Sequence, residues 1–142
     1  MLPGAEVVSV CSRCGGDHGR PVLRGGGPAL SIAYAGGYAV VAVAAEASAV
    51  GIDAEPERSD DLNLDRVLRA GAGLRDWVRV EAVLKADGRA LRIDPGAVRI
   101  TEEEDRWCAR FPRRAGSITG WDAAGPPGML VSVAVIPRSP RE

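Results

Sequence analysis

Val50-Gly51-Ile52-Asp53-Ala54-Glu55 alternates acidic with small or apolar side chains over its second half. In a strand, successive side chains point to opposite faces, so Asp53 and Glu55 share one face and Ile52 and Ala54 the other. Two carboxylates side by side on one strand repel each other unless a cation lies between them. The stretch from Ala49 to Glu55 is therefore read as a strand that presents acids to a site and apolar groups to a core.

A second segment answers the first. Trp77-Val78-Arg79-Val80-Glu81-Ala82-Val83-Leu84-Lys85 has helical spacing, with Trp77, Val80 and Leu84 on one stripe that should face the core. Asp76 is positioned to cap this helix and Gly88 to end it, giving a helix from Trp77 to about Ala86. Glu81 and Lys85 are one turn apart and lie on the same side. Of the 18 basic residues all but Lys85 are arginine, so the chain keeps its one compact ammonium here.

Outward from these two segments the pattern is mostly strand. Leu30 to Tyr34 and Tyr38 to Ala44 read as a hairpin across Gly36-Gly37. Val7 to Val10 is a short strand, and residues 14–21 form a loop dense in glycine and proline. An acidic linker runs from Asp60 to Asp65, and Leu64 to Ala70 forms a short helix that breaks at Gly71-Ala72-Gly73. Val98–Thr101, Trp107–Phe111, Ser117–Trp121 and Met129–Ile136 read as a closing β-meander, with a charged turn from Glu102 to Arg106 and a frayed tail from Pro137. These elements predict a single α+β domain spanning residues 1–142, an antiparallel sheet packed on a central helix.

Composition narrows the function classes. The chain has 142 residues, a net charge of −1 and few aromatic residues, with acids and bases interspersed, which argues against nucleic-acid binding. No apolar run reaches membrane-spanning length, and no secretory signal is visible, so a cytoplasmic protein with no membrane partner is expected. Cys11-Ser12-Arg13-Cys14 with His18 is a CxxC-type pattern. A Cys3His zinc site would require Cys108 as the remaining ligand; the alternative is a reduced pair in a tight turn.

Asp53, Glu55 and Glu81 supply three hard oxygen donors and no histidine, a set that suits Mg²⁺ with waters and substrate phosphates completing the shell. Lys85 reaches a phosphate of the same ligand, and Arg20 supplies a further contact from the glycine-rich loop. The plain alternative is exposed acids at a strand end and an i,i+4 ion pair.

The order of segments resembles the Sfp-type 4′-phosphopantetheinyl transferases. That family carries an HGKP-like loop, here His18-Gly19-Arg20-Pro21; a GIDIE-like strand, here Gly51-Ile52-Asp53-Ala54-Glu55; and a W-x-x-KEAxxKxxG helix, here Trp77 to Lys85 followed by Ala86-Asp87-Gly88-Arg89-Ala90-Leu91. The strand Met129 to Val135 is similar to its closing strand. At the SxSHS position the chain has Ser31-Ile32-Ala33-Tyr34-Ala35. The resemblance implies an abbreviated form of the family's pseudo-dimeric fold, with homo-oligomerisation as a way to complete the site. It implies Mg²⁺-dependent transfer of the phosphopantetheine arm of coenzyme A to a serine of an acyl or peptidyl carrier protein. Asp53, Glu55 and Glu81 would hold the metal, Glu81 and Lys85 would act in catalysis, and Arg20, Tyr34 and Lys85 would bind coenzyme A. A relative repurposed as a binding module, or acting on another substrate, is the alternative.

Overall fold

The computed structural model describes residues 4–58, 63–89 and 92–140. Residues 60–62 of the expected acidic linker, Ala90 and Leu91 after the helix, and the last two residues of the tail lie outside the described residues.

The largest sheet is antiparallel and five-stranded. β5 (Ala47–Pro56) pairs with β9 (Met129–Pro137), and β8 (Ile118–Ala123), β7 (Trp107–Arg110) and β6 (Arg99–Glu102) follow, in the order β5-β9-β8-β7-β6. The register sets Gly51 opposite Ala134, Ile52 opposite Val133 and Asp53 opposite Ser132. Alternation then sorts each strand. Gly51, Asp53, Ser132 and Ala134 look to one face, while Val50, Ile52, Ala54, Val131 and Val133 look to the other.

Each face has its own cover. Helix α2 (Leu74–Asp87) lies on the first. Its Val80, Val83, Leu84 and Ala86 pack with Trp107, Ala109, Ile118 and Ala134 into the larger apolar cluster. The hairpin of β3 (Ala29–Ala35) and β4 (Tyr38–Ala44) lies on the second, where Ala33 packs with Val50, Ile52, Ala54, Val131 and Val133. Its turn is Gly36-Gly37, with φ of 56° and 79°, the two positive values that a tight hairpin turn requires. A two-stranded ribbon, β1 (Val7–Val8) with β2 (Val22–Leu23), and a one-turn helix, α1 (Leu64–Val67), complete the chain. It is an α+β protein with antiparallel sheets and one long helix.

Local physics moves several boundaries. The long helix begins at Leu74 rather than Trp77. Gly73 takes the N-cap position, and Asp76 sits three residues inside, where its carboxylate accepts the Gly73 N–H at 2.9 Å. Trp77 is consequently half-buried at the rim, while Val80 and Leu84 are in the core. The first strand stops at Val8, because the chain turns into the cysteine loop, and its partner Val22–Leu23 was hidden by the flanking proline and glycines. Pro137, expected in a frayed tail, closes β9, and Arg138 donates to the Ala47 carbonyl at 3.3 Å.

Among the described residues no helix is long and apolar enough to cross a membrane.

Candidate functional site

The site follows from one contact. Gly51 lies directly under α2, so close that a Cβ there would overlap the Ala82 carbonyl oxygen and the Ala86 amide nitrogen. Glycine lets the helix rest on the strand backbone, and the residues next to Ala82 and Ala86 along α2 are Glu81 and Lys85. The helix therefore brings Lys85 to the acids two and four residues further along β5.

Lys85 Nζ donates to Asp53 Oδ1 at 2.9 Å and to the Ile52 carbonyl at 3.0 Å. β5 is an edge strand of its sheet, and on that edge the Ile52 N–H donates to Ser31 Oγ at 3.1 Å. Both outward polar groups of Ile52 are thus satisfied by side chains. Asp53 is buried, and its Oδ2 has no hydrogen-bond partner.

Three carboxyls share this corner electrostatically. Burial raises the Asp53 pKa above the usual carboxylate range by more than the Lys85 ammonium lowers it. Glu55 is raised by burial and by the Asp53 charge, with the Trp77 indole pulling the other way. Glu81 is raised by burial, then by Asp53 and Glu55, with Lys85 opposing. Burial is the first cause for all three acids, and for Glu55 and Glu81 repulsion between the carboxylates adds to it.

In donor chemistry alone, the set suits the Mg²⁺ that the resemblance implies. It is all carboxylate oxygen, and the bare, buried Asp53 Oδ2 is a ligand atom without a partner. The three side chains do not close into one shell by themselves. Among the described residues, only Cys11, Cys14 and His18 bring three potential ligand atoms within 4.8 Å of one another.

On the other side of Lys85 opens a cleft of about 880 Å³ between the loop before β2 and the end of α2. Arg13, Arg20, Lys85, Arg89 and Arg92 line it, together with Ser31, and among the described residues no acid does. Arg20 does more than the sequence implied. Its guanidinium donates to the Lys85 and Ala86 carbonyls, both at 2.5 Å, and so caps the helix C-terminus. Lys85 is therefore held by its backbone from one side and by its ammonium from the other.

Tyr34 lies outside the residues that line the cleft. It is 78% exposed near the tip of the hairpin, two residues beyond Ile32 on the same side of β3. Ser31, which the sequence reading left without a role, lines the cleft instead. Cys108 also stands apart from Cys11 and Cys14. It is on β7, turned to the sheet face opposite α2, and its thiol donates to Glu103 at 3.2 Å. A zinc site that includes Cys108 is thereby ruled out as drawn from the sequence.

Two further polar clusters were not legible in advance. Asp87 is almost fully buried between Arg89 (2.8 Å) and Arg114 (2.7 Å). Burial pushes its pKa up, but hydrogen bonds from the two arginines outweigh this and hold it below the usual range. Asp122 on β8 accepts from Arg79, Trp107 and Ser132. Burial again raises its pKa, and Arg79, Ser132 and Arg75 together more than reverse the effect. Arg89 is two residues from Asp87, but the partners that complete the clusters, Arg114 for Asp87 and Arg79 for Asp122, are far away in the chain and no spacing signals them.

In comparisons with known proteins, no family model matches this sequence, and no curated protein matches it either.

Proposed function

We propose that this chain is a Mg²⁺-dependent 4′-phosphopantetheinyl transferase that moves the phosphopantetheine arm of coenzyme A onto a serine of an acyl or peptidyl carrier protein. The observation that carries the reading is the position of Lys85, whose ammonium touches the acidic strand while the same residue lines a cleft of arginines. A ligand that spans both halves must be polyanionic, and its phosphates must approach carboxylates. Nucleotide diphosphates meet this description when a divalent cation shields the acids.

In this reading Asp53 and Glu55 would hold Mg²⁺, which when bound neutralises diphosphate charge, with Glu81 either a further ligand or the base. Arg13, Arg89 and Arg92 take the phosphorylated nucleotide end, and Arg20 adds donors not spent on the helix carbonyls. Lys85 binds the diphosphate and balances charge on the departing oxygen. Where Glu81 is the base and not a metal ligand, the carrier serine gives its proton to it. The serine oxygen forms a bond to the phosphorus bearing pantetheine, and the bond from that phosphorus to the bridging oxygen of 3′,5′-ADP breaks. Electron pair and charge leave with the nucleotide.

The same reading allows self-association, with a second copy completing the site. Light scattering coupled to size exclusion tests that point. A cytoplasmic location goes with the same reading.

A second reading has one observation in its favour. Ala33 and Tyr34 stand where the family has serine and histidine, and neither brings a cation. A relative that binds without transfer, or serves another substrate, would tolerate that loss. Incubation with coenzyme A, Mg²⁺ and a panel of apo carrier proteins separates the two. Transfer adds the mass of one phosphopantetheine arm to a carrier serine. If no carrier gains it under any metal condition, the transferase reading falls. Calorimetry with coenzyme A then decides whether the cleft still binds.

A further inference from the structure

The loop that carries Arg20 contains a cluster which the transfer chemistry does not use. Cys11 Sγ, Cys14 Sγ and a ring nitrogen of His18 lie within 4.8 Å of one another, and Cys14 Sγ is 2.9 Å from His18 Nε2. Two thiols and an imidazole facing a common point are a soft donor set, distinct from the oxygens of Asp53, Glu55 and Glu81.

The backbone around them is already wound for thiolates. Arg13 N–H points at Cys11 Sγ and Gly16 N–H at Cys14 Sγ, both at 3.4 Å. The turn is locked by Gly15 N–H to the Cys11 carbonyl (2.9 Å) and Cys11 N–H to the Gly16 carbonyl (2.8 Å). Backbone N–H groups aimed at sulfur stabilise its anionic form, the form that binds metal. The return strand closes the loop through Gly19 N–H to the Ser9 carbonyl at 3.2 Å. A Cβ on Gly19 would overlap the Val10 carbonyl, so the loop can shut only with glycine after His18.

We propose that Cys11, Cys14 and His18 bind one Zn²⁺ per chain, with solvent in the fourth position. The ion ties the two sides of the loop together two residues before Arg20. It thereby fixes the arginine that caps α2 and lines the cleft. Cys108 takes no part.

The test uses the full-length chain purified without chelator. Elemental analysis should give one zinc per chain for the wild type and for Cys108→Ser. It should give less than a tenth of that for Cys14→Ser and for His18→Ala, with far-UV circular dichroism confirming that each variant is folded. Should those variants fail to fold, Co²⁺ titration of metal-stripped wild type replaces them. A thiolate-to-cobalt absorption band that saturates at one equivalent, and that Zn²⁺ displaces, supports the site. Metal-stripped protein should also be cut by trypsin after Arg13 at least tenfold faster than the zinc form. Absence of zinc together with absence of a cobalt band overturns the proposal. So does a Cys11–Cys14 disulfide in protein isolated under reducing conditions, which would make the pair a redox element.

Discussion

Gly51 lies beneath the Ala82 carbonyl at a separation that no side chain could occupy. The contact is backbone to backbone, so neither partner can rotate away. Gly51→Ala should therefore cost about 3 kcal/mol, the upper end of the range for overpacking. Urea denaturation measures it, with the midpoint falling and the slope unchanged. A loss below about 0.5 kcal/mol would mean that helix and strand do not meet there.

That contact explains how much could be read ahead. The hairpin was legible because Gly36-Gly37 separates two β-prone runs, a signal confined to neighbouring residues. The faces of β5 were legible because alternation is also local. Gly51 itself was visible as a letter, but nothing around it says which element presses on it. The same limit hid the Arg79–Asp122 and Arg114–Asp87 pairs, whose partners are set by where α2 packs. It also produced the expectation for Cys108, since counting thiols ignores which face of a sheet each one occupies. The helix start was missed for another reason: aspartate serves equally as N-cap or as third residue, and only the chain path at Gly73 distinguishes them.

Lys85→Ala removes the partner of a buried carboxylate. It should destabilise the chain by about 1–3 kcal/mol, a range limited by the ability of Asp53 to take up a proton. Coenzyme A affinity should drop at least tenfold in calorimetry. Lys85→Arg should not restore it, because a planar fork cannot aim at the Ile52 carbonyl and Asp53 as a rotating ammonium does. Adding Asp53→Asn to Lys85→Ala should recover stability without recovering binding. Unchanged affinity in Lys85→Ala would remove the central residue of the transferase reading.

The raised carboxyls give a pH dependence with a defined sign. Asp53, Glu55 and Glu81 hold protons more tightly folded than unfolded. Folded protein therefore binds more protons just above the ordinary carboxylate range, and stability falls as pH rises through that interval. Asp87 and Asp122 are held low, so their contribution is present above the ordinary range and is lost as pH falls below it. Metal-free protein should melt highest at mildly acidic pH and lower at neutral pH. Mg²⁺ should raise the melting temperature at neutral pH and have little effect in acid. A metal-free melting temperature that climbs steadily from pH 4 to 8 would contradict the arrangement.

Glu81→Gln separates catalysis from folding. It removes a charge that Asp53 and Glu55 repel, so metal-free protein at neutral pH should gain stability, on the order of 2–4 °C for roughly 1 kcal/mol in a chain of this size. Transfer to a carrier should fall at least a hundredfold, the lower bound for loss of a proton acceptor. A less stable variant, or one that keeps turnover, would assign Glu81 a packing role.

Asp122 offers the matching control. It joins Arg79 and Ser132 to the indole of Trp107, and Arg75 lies 3.6 Å from it. Asp122→Ala leaves a largely buried guanidinium and two further polar groups without their acceptor, a loss of about 3 kcal/mol. Asp122→Asn keeps an oxygen for Ser132 and Trp107 and should lose about half as much. The network grips the first half of α2, whereas the cleft lies at its C-terminal end. Folded Asp122→Asn should therefore bind coenzyme A within twofold of the wild type, even though it melts earlier. If affinity falls in step with stability, the two ends of the helix are coupled, and Lys85 is positioned by the whole of α2 and not by Gly51 and Arg20 alone.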